Sequence, residues 1–229
     1  MNELTCPKKK LLLWFILLSA PFLLNDFAKI YFSKNWILFF IIDYVFCKAF
    51  PFFIFLYLYK KQRLILSDIG IKSLPVVQFI LWTIIMTIIG IAIDQIGWRF
   101  FENILPKTQL GGFPKIPVPW FYKFDLFFGI ICVGIFEETI FRGMAFTVLR
   151  QYFKSIISIF IISSIIFGLI HWSWGVHAII NTAIIGAVFM IVMWKTGSVL
   201  PVIIAHFLVD YVSFSGFIPY DSPFFNFLK

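Results

Sequence analysis

Glu137, Glu138 and Arg142 stand together in the stretch Phe136 to Arg142, inside an otherwise apolar run from Leu126 to Leu149. An ionisable side chain within a bilayer costs about 3 kcal/mol on insertion scales, so a cluster of three there points to function. Apolar surroundings disfavour a carboxylate's charge, and two neighbouring carboxylates disfavour each other's. One of such a pair can serve as a base near neutral pH, and the two titrate as a unit. Arg142 follows Glu138 by four residues and on a helix shares its face, which suits it to hold Glu138 ionised and leave Glu137 for water. Two histidines add to the set. Phe167 and His171 are four apart, so ring and imidazole can pack side by side, and His206 and Asp210 repeat that spacing with a carboxylate. The alternative pair His177 and Asn181 has the same form. His177 lies only six residues after His171, beside Trp172, Trp174 and Gly175, a composition that suits a membrane interface, so His206 is preferred.

The elements that carry these residues are membrane helices. The chain has 229 residues, 61% of them hydrophobic and 13% charged, with a mean hydropathy of +0.96, far from the composition of a soluble domain. On a ruler of about 20 apolar residues per span, it divides into about seven segments of an all-α polytopic bundle: 11–27, 36–59, 75–93, 124–149, 156–170, 177–194 and 199–214. The whole of 1–229 reads as one transmembrane domain with its polar core at about 124–214. Residues 94–123 read as an extramembrane loop, with an interfacial helix near 98–105 and a role as lid or substrate access. The tail from Gly216 to Lys229 reads as an interfacial end. Asp43 and Lys48, both inside the second segment, are expected to pair or to snorkel. Lys8, Lys9 and Lys10 before the first apolar run resemble a signal peptide's start, but no A-x-A-like site follows, so an uncleaved first helix is expected.

The formal charge of +8 comes from short basic clusters between apolar runs. These are topology signals rather than a nucleic-acid surface, and they place the N-terminus, the 60–72 loop, the 150–154 loop and Lys195 on the cytoplasmic side. Cys6, Cys47 and Cys132 are odd in number and form no disulfide framework or metal-ligand pattern.

The order EExxxR, FxxxH, HxxxD resembles the CAAX protease and bacteriocin-processing (CPBP) family of intramembrane proteases. Phe167-Gly168-Leu169-Ile170-His171 and the stretch from Thr196 to His206 resemble that family's second motif and the approach to its last helix. The resemblance implies a glutamate-type endopeptidase in the membrane. Glu137 would activate water with help from His171, and His206 with Asp210 would stabilise the tetrahedral oxyanion. An ionised Asp210 cannot donate to an oxyanion, unlike the Asn at this place in other members, so it is expected to orient and charge His206 instead. Glu137, His171 and His206 are also the ligand types of a catalytic zinc site. No HExxH occurs, and the resemblance implies a metal-free site without cofactor. The implied substrate is a membrane-associated peptide or protein, with a prenylated C-a-a-X tail as one subclass. The implied setting is a prokaryotic plasma membrane, since abundant Phe, Ile and Lys hint at an AT-rich genome. A non-catalytic bacteriocin immunity protein, which sequesters a bacteriocin or its receptor, is the alternative. A proton-coupled transporter fits less well, because no paired broken helices occur.

Overall fold

The computed structural model describes residues 6–228. Among them run seven continuous helices and no strand: α1 (Lys8–Tyr31), α2 (Trp36–Lys60), α3 (Val76–Ile104), α4 (119–149), α5 (Ile156–Leu169), α6 (Val176–Thr196) and α7 (Leu200–Phe214). Four of these, α1, α2, α3 and α6, are long and apolar enough to cross a membrane. α5 and α7 are shorter apolar helices. Large aliphatic side chains such as Val76, Ile88 and Ile157 point outward and are exposed. Water would not tolerate so many, whereas a hydrocarbon solvent does, and the chain is an integral membrane protein.

Each helix begins where the sequence supplies a reason. Asn35 caps α2 by accepting the Leu38 N–H at 3.1 Å, and Ser155 caps α5 by accepting that of Ser158. Pro119 opens α4 at a position where its missing N–H leaves no bond unmade. α2 continues past Pro51 because a π-helical turn at Tyr44–Ala49 precedes it and absorbs the break in the hydrogen-bond ladder. Further π-helical turns occur at Ile93–Gly97 in α3 and at Asp125–Gly129 and Thr139–Met144 in α4.

The irregular stretch expected over 94–123 is shorter than the sequence suggested. α3 runs on through Ile104 and α4 starts at residue 119, leaving a loop of 105–118. The polar groups that pointed to a loop find partners on the helix instead. Gln95 donates to Asp94 at 2.6 Å, and Arg99 donates to the Gln95 carbonyl at 2.6 Å and to the Tyr220 carbonyl at 3.2 Å. The tail folds back onto the end of α3. The Arg99 guanidinium lies 3.9 Å from the Phe225 ring centroid, and Phe225 is buried. Lys229, the last residue of the tail expected at the interface, lies outside the described residues.

Hydrogen bonds gather the turns into two opposite ends. At one end, Tyr152 reaches the Lys8 carbonyl, Thr147 the Asp68 carbonyl, the Val199 N–H the Gly70 carbonyl and Ser198 the Lys72 carbonyl. At the other, the Gly112 N–H donates to the Lys29 carbonyl, Trp172 to the Leu23 carbonyl and Tyr122 to the Phe214 carbonyl. Of three apolar clusters, the two larger lie between the ends. One joins α1 to α4 through Phe15, Leu18, Phe22, Phe141 and Met144, and the other joins α3, α6 and α7 through Met86, Phe189, Met190 and Val202. The polar core sits where they meet.

Candidate active site

Glu137 and Glu138 are neighbours on α4, and one residue of an α-helix turns the side-chain direction by about 100°, so they diverge. Glu138 points inward and is fully buried. Its Oε2 lies 3.0 Å from Arg142 Nε, one turn on, and its Oε1 lies 2.7 Å from His206 Nδ1. The guanidinium of Arg142 is stacked 3.7 Å from the centroid of Phe167. Glu138 thus joins a cation of its own helix to an imidazole of α7, with an aromatic ring of α5 closing the back.

Glu137 points the other way. Its Oε2 is buried without a hydrogen-bond partner and lies 3.9 Å from His206 Nε2. The same Nε2 lies 3.4 Å from Asp210 Oδ2. His206 therefore stands between two carboxylates, close to Glu138 on one side and in looser contact with Asp210 on the other. The shorter contact was not the one expected: Glu138 holds the ring more closely than Asp210 does. α7 can approach α4 this closely because residue 134 is glycine. A Cβ there would come within 3.2 Å of the Ile203 carbonyl oxygen and 3.7 Å of His206 Cβ.

His171 sits just beyond the last turn of α5 rather than within it. Its Nδ1 donates to the Phe167 carbonyl at 3.2 Å, and its ring packs on Phe167 with centroids 5.2 Å apart. In the neutral ring this bond leaves Nε2 as an acceptor. The turn that follows is tied down from outside α5. Ser173 donates its N–H to Asp26 Oδ2 at 2.6 Å, and Asp26 also pairs with Lys29. The Ser173 carbonyl accepts the N–H groups of Leu110 and Gly111. Gly175 closes the turn at φ +100°, where a side chain would be strained.

These groups share one cavity of about 390 Å³. Glu137, His171, His206 and Asp210 line one wall. The facing wall comes from α1, α2 and the start of α4, through Asn25, Lys29, Asp43, Lys48 and Asp125. The sequence had given this second group little weight. Lys48 pairs with Asp43, five residues back, because the intervening π-helical turn brings residues i and i+5 onto one face. Asn25 donates to Asp43 at 3.1 Å, and Tyr44 to Asp125 at 2.8 Å. The one hint available from sequence was a pair of opposite charges inside an apolar span.

His177 and Asn181 are not in this cavity. His177 packs edge-on against Trp98 with centroids 4.7 Å apart, and Asn181 presses against Gly97, whose added Cβ would come within 2.3 Å of the Asn181 amide oxygen. Both face α3. Among the described residues, no group of three or more His, Cys, Asp or Glu side chains is arranged to hold a metal ion.

Comparison with curated proteins and with solved structures finds no match. The family comparison does find one. Residues 119–212, from the first residue of α4 into α7, match the family model described as type II CAAX prenyl endopeptidase, Rce1-like; the matched stretch spans all three motifs, is similar to the CAAX protease family and supports an intramembrane endopeptidase.

Proposed function

We propose that this protein hydrolyses a peptide bond of a membrane-associated peptide or protein with water activated by Glu137. The observation that carries the reading is the buried, unpartnered Oε2 of Glu137 in a cavity shared with His171 and His206. A carboxylate oxygen without a protein partner, facing a cavity, is where a water donates. The Nε2 of neutral His171 accepts a hydrogen bond from that water's other O–H and so fixes its direction. On attack, the proton passes to Glu137, the water oxygen bonds to the scissile carbonyl carbon, and the carbonyl oxygen takes up the negative charge. Glu137 then gives the proton to the departing amine. The charge is met by His206 Nε2–H. Both ring nitrogens of His206 face carboxylate oxygens, an arrangement that only the doubly protonated ring satisfies, and the looser contact to Asp210 lets Nε2 turn to substrate. Glu138 and Arg142 have no direct part in the bond exchange and hold the imidazolium in place.

The matched family's description names prenyl endopeptidases, so a prenylated C-a-a-X peptide is the first substrate to test, followed by a peptide library read by mass spectrometry, all in proteoliposomes of a bacterial lipid extract. Glu137→Ala is expected to lower turnover by about 10²–10⁴-fold, as for loss of a general base, and His206→Ala by about 10²–10³-fold, as for loss of an oxyanion donor. Undiminished cleavage in both Glu137→Ala and His171→Ala would exclude the mechanism. Binding of a peptide partner that persists in Glu137→Gln, with no cleavage in the wild type, would favour an immunity-type partner protein instead.

A further inference from the structure

The basic residues and the cavity occupy opposite ends of the molecule. The end tied together by the bonds from Tyr152, Thr147, Ser198 and Val199 carries the N-terminus of α1, the turns after α2 and α4, and the turn between α6 and α7. Its cations are Lys8, Lys9 and Lys10, then Lys60, Lys61, Arg63 and Lys72, then Arg150, Lys154 and Lys195. At the opposite end, among the described residues, the lysines outside any ion pair are Lys34, Lys107, Lys115 and Lys123, all exposed. Lys29 there is paired with Asp26, and Arg99 is engaged by the carbonyls of Pro219 and Tyr220. Lysine and arginine bias of this kind sets orientation, with the richer end kept on the cytoplasmic side. The cavity opens at the poorer end. Its mouth is formed by Phe113 to Ile116 of the 105–118 loop together with Tyr122, Trp174 and Phe214, and none of the residues of 61–75, 150–155 or 196–199 lines it.

We propose that the cavity opens on the non-cytoplasmic face of the membrane. On the endopeptidase reading above, the substrate is then a peptide or a membrane-anchored segment presented on that face, such as an exported peptide still held by the bilayer. The C-terminal tail of a cytosolic prenylated protein would not reach Glu137 from its own side. The mouth suits such a substrate: exposed Phe113 and Phe214 line the way in at the level where an interfacial peptide lies, and exposed Lys115 lines it with them.

The test uses the unmodified protein in the inner membrane of intact bacterial cells. A membrane-impermeant sulfo-NHS acetate acylates lysines on the outer face, and mass spectrometry locates them. Lys107 and Lys115 are expected to be acetylated in intact cells, and Lys61 and Lys154 only after permeabilisation. The reverse pattern overturns the proposal, as does acetylation of both sets in sealed cells. A second readout uses Lys115→Cys and Lys61→Cys, each with Cys6, Cys47 and Cys132 replaced by Ala, and an impermeant maleimide. Labelling of Lys115→Cys alone in intact cells supports the assignment, and labelling of Lys61→Cys alone refutes it. Neither readout depends on catalysis, so loss of the hydrolase reading would leave the sidedness result standing, and the converse holds as well.

Discussion

Among the described residues Arg142 is the largest fully buried side chain, and its charge is balanced within one turn of helix by Glu138. Taking two charges out of water is expensive, and the pair survives because Glu138 also lies 2.7 Å from the His206 imidazole while the guanidinium lies on the face of Phe167. Removing one partner leaves the other buried alone. Arg142→Met is therefore expected to destabilise the protein by about 3–5 kcal/mol, read as a fall in the detergent-solubilised melting temperature. Arg142→Met combined with Glu138→Leu should recover part of that loss while leaving cleavage impaired, because His206 has then lost its closest partner. A single and a double variant of equal stability would show that the pair contributes little to the fold.

The seven helical segments were readable from hydropathy, since backbone groups in hydrocarbon must bond within their own segment, although only four of the helices are long and apolar enough to cross a membrane. The three motifs were likewise readable, because carboxylates and imidazoles stand out against so apolar a background. Hydropathy was blind to the π-helical turns: nothing in the pattern of residues 44–49 or 139–144 marks an extra residue per turn, yet that residue is what lets Lys48 meet Asp43. It was equally blind to the anchoring of His171, which depends on a residue about 150 positions away in sequence, as the bond separation of 147 between Asp26 and Ser173 shows. Asp26 is a positioning residue. With Asp26→Ala, hydrogen–deuterium exchange in the peptide 169–175 is expected to quicken by about tenfold, in keeping with the loss of a charge-assisted bond, while α6 and α7 stay protected. In Asp26→Asn, whose amide oxygen can still accept the Ser173 N–H, most of that protection should return. Unchanged exchange in the alanine variant would mean that the turn is held by its other bonds.

At the scale of the whole molecule, the cavity has two charged walls. One holds the motif residues Glu137, His171, His206 and Asp210, and the other, drawn from α1, α2 and the start of α4, lies outside every motif. Lys48 and Asp43 on that second wall are both buried and mutually dependent. Lys48→Met and Asp43→Asn are each expected to lower the melting temperature, and the double variant should be more stable than either alone, with a coupling of about 0.5–3 kcal/mol. Strict additivity in that cycle would place the two groups in independent roles.

The bond between Ser173 and Asp26 bears on the smallest piece of chain that could work. One of the imidazoles in the cavity owes its placement to the first helix, far upstream of where the family pattern begins at residue 119. A truncated protein expressed from 119–212 would retain every signature residue and yet lack the strut beneath one of them. Recognisable sequence and self-sufficient machinery are, in this molecule, different lengths of polypeptide.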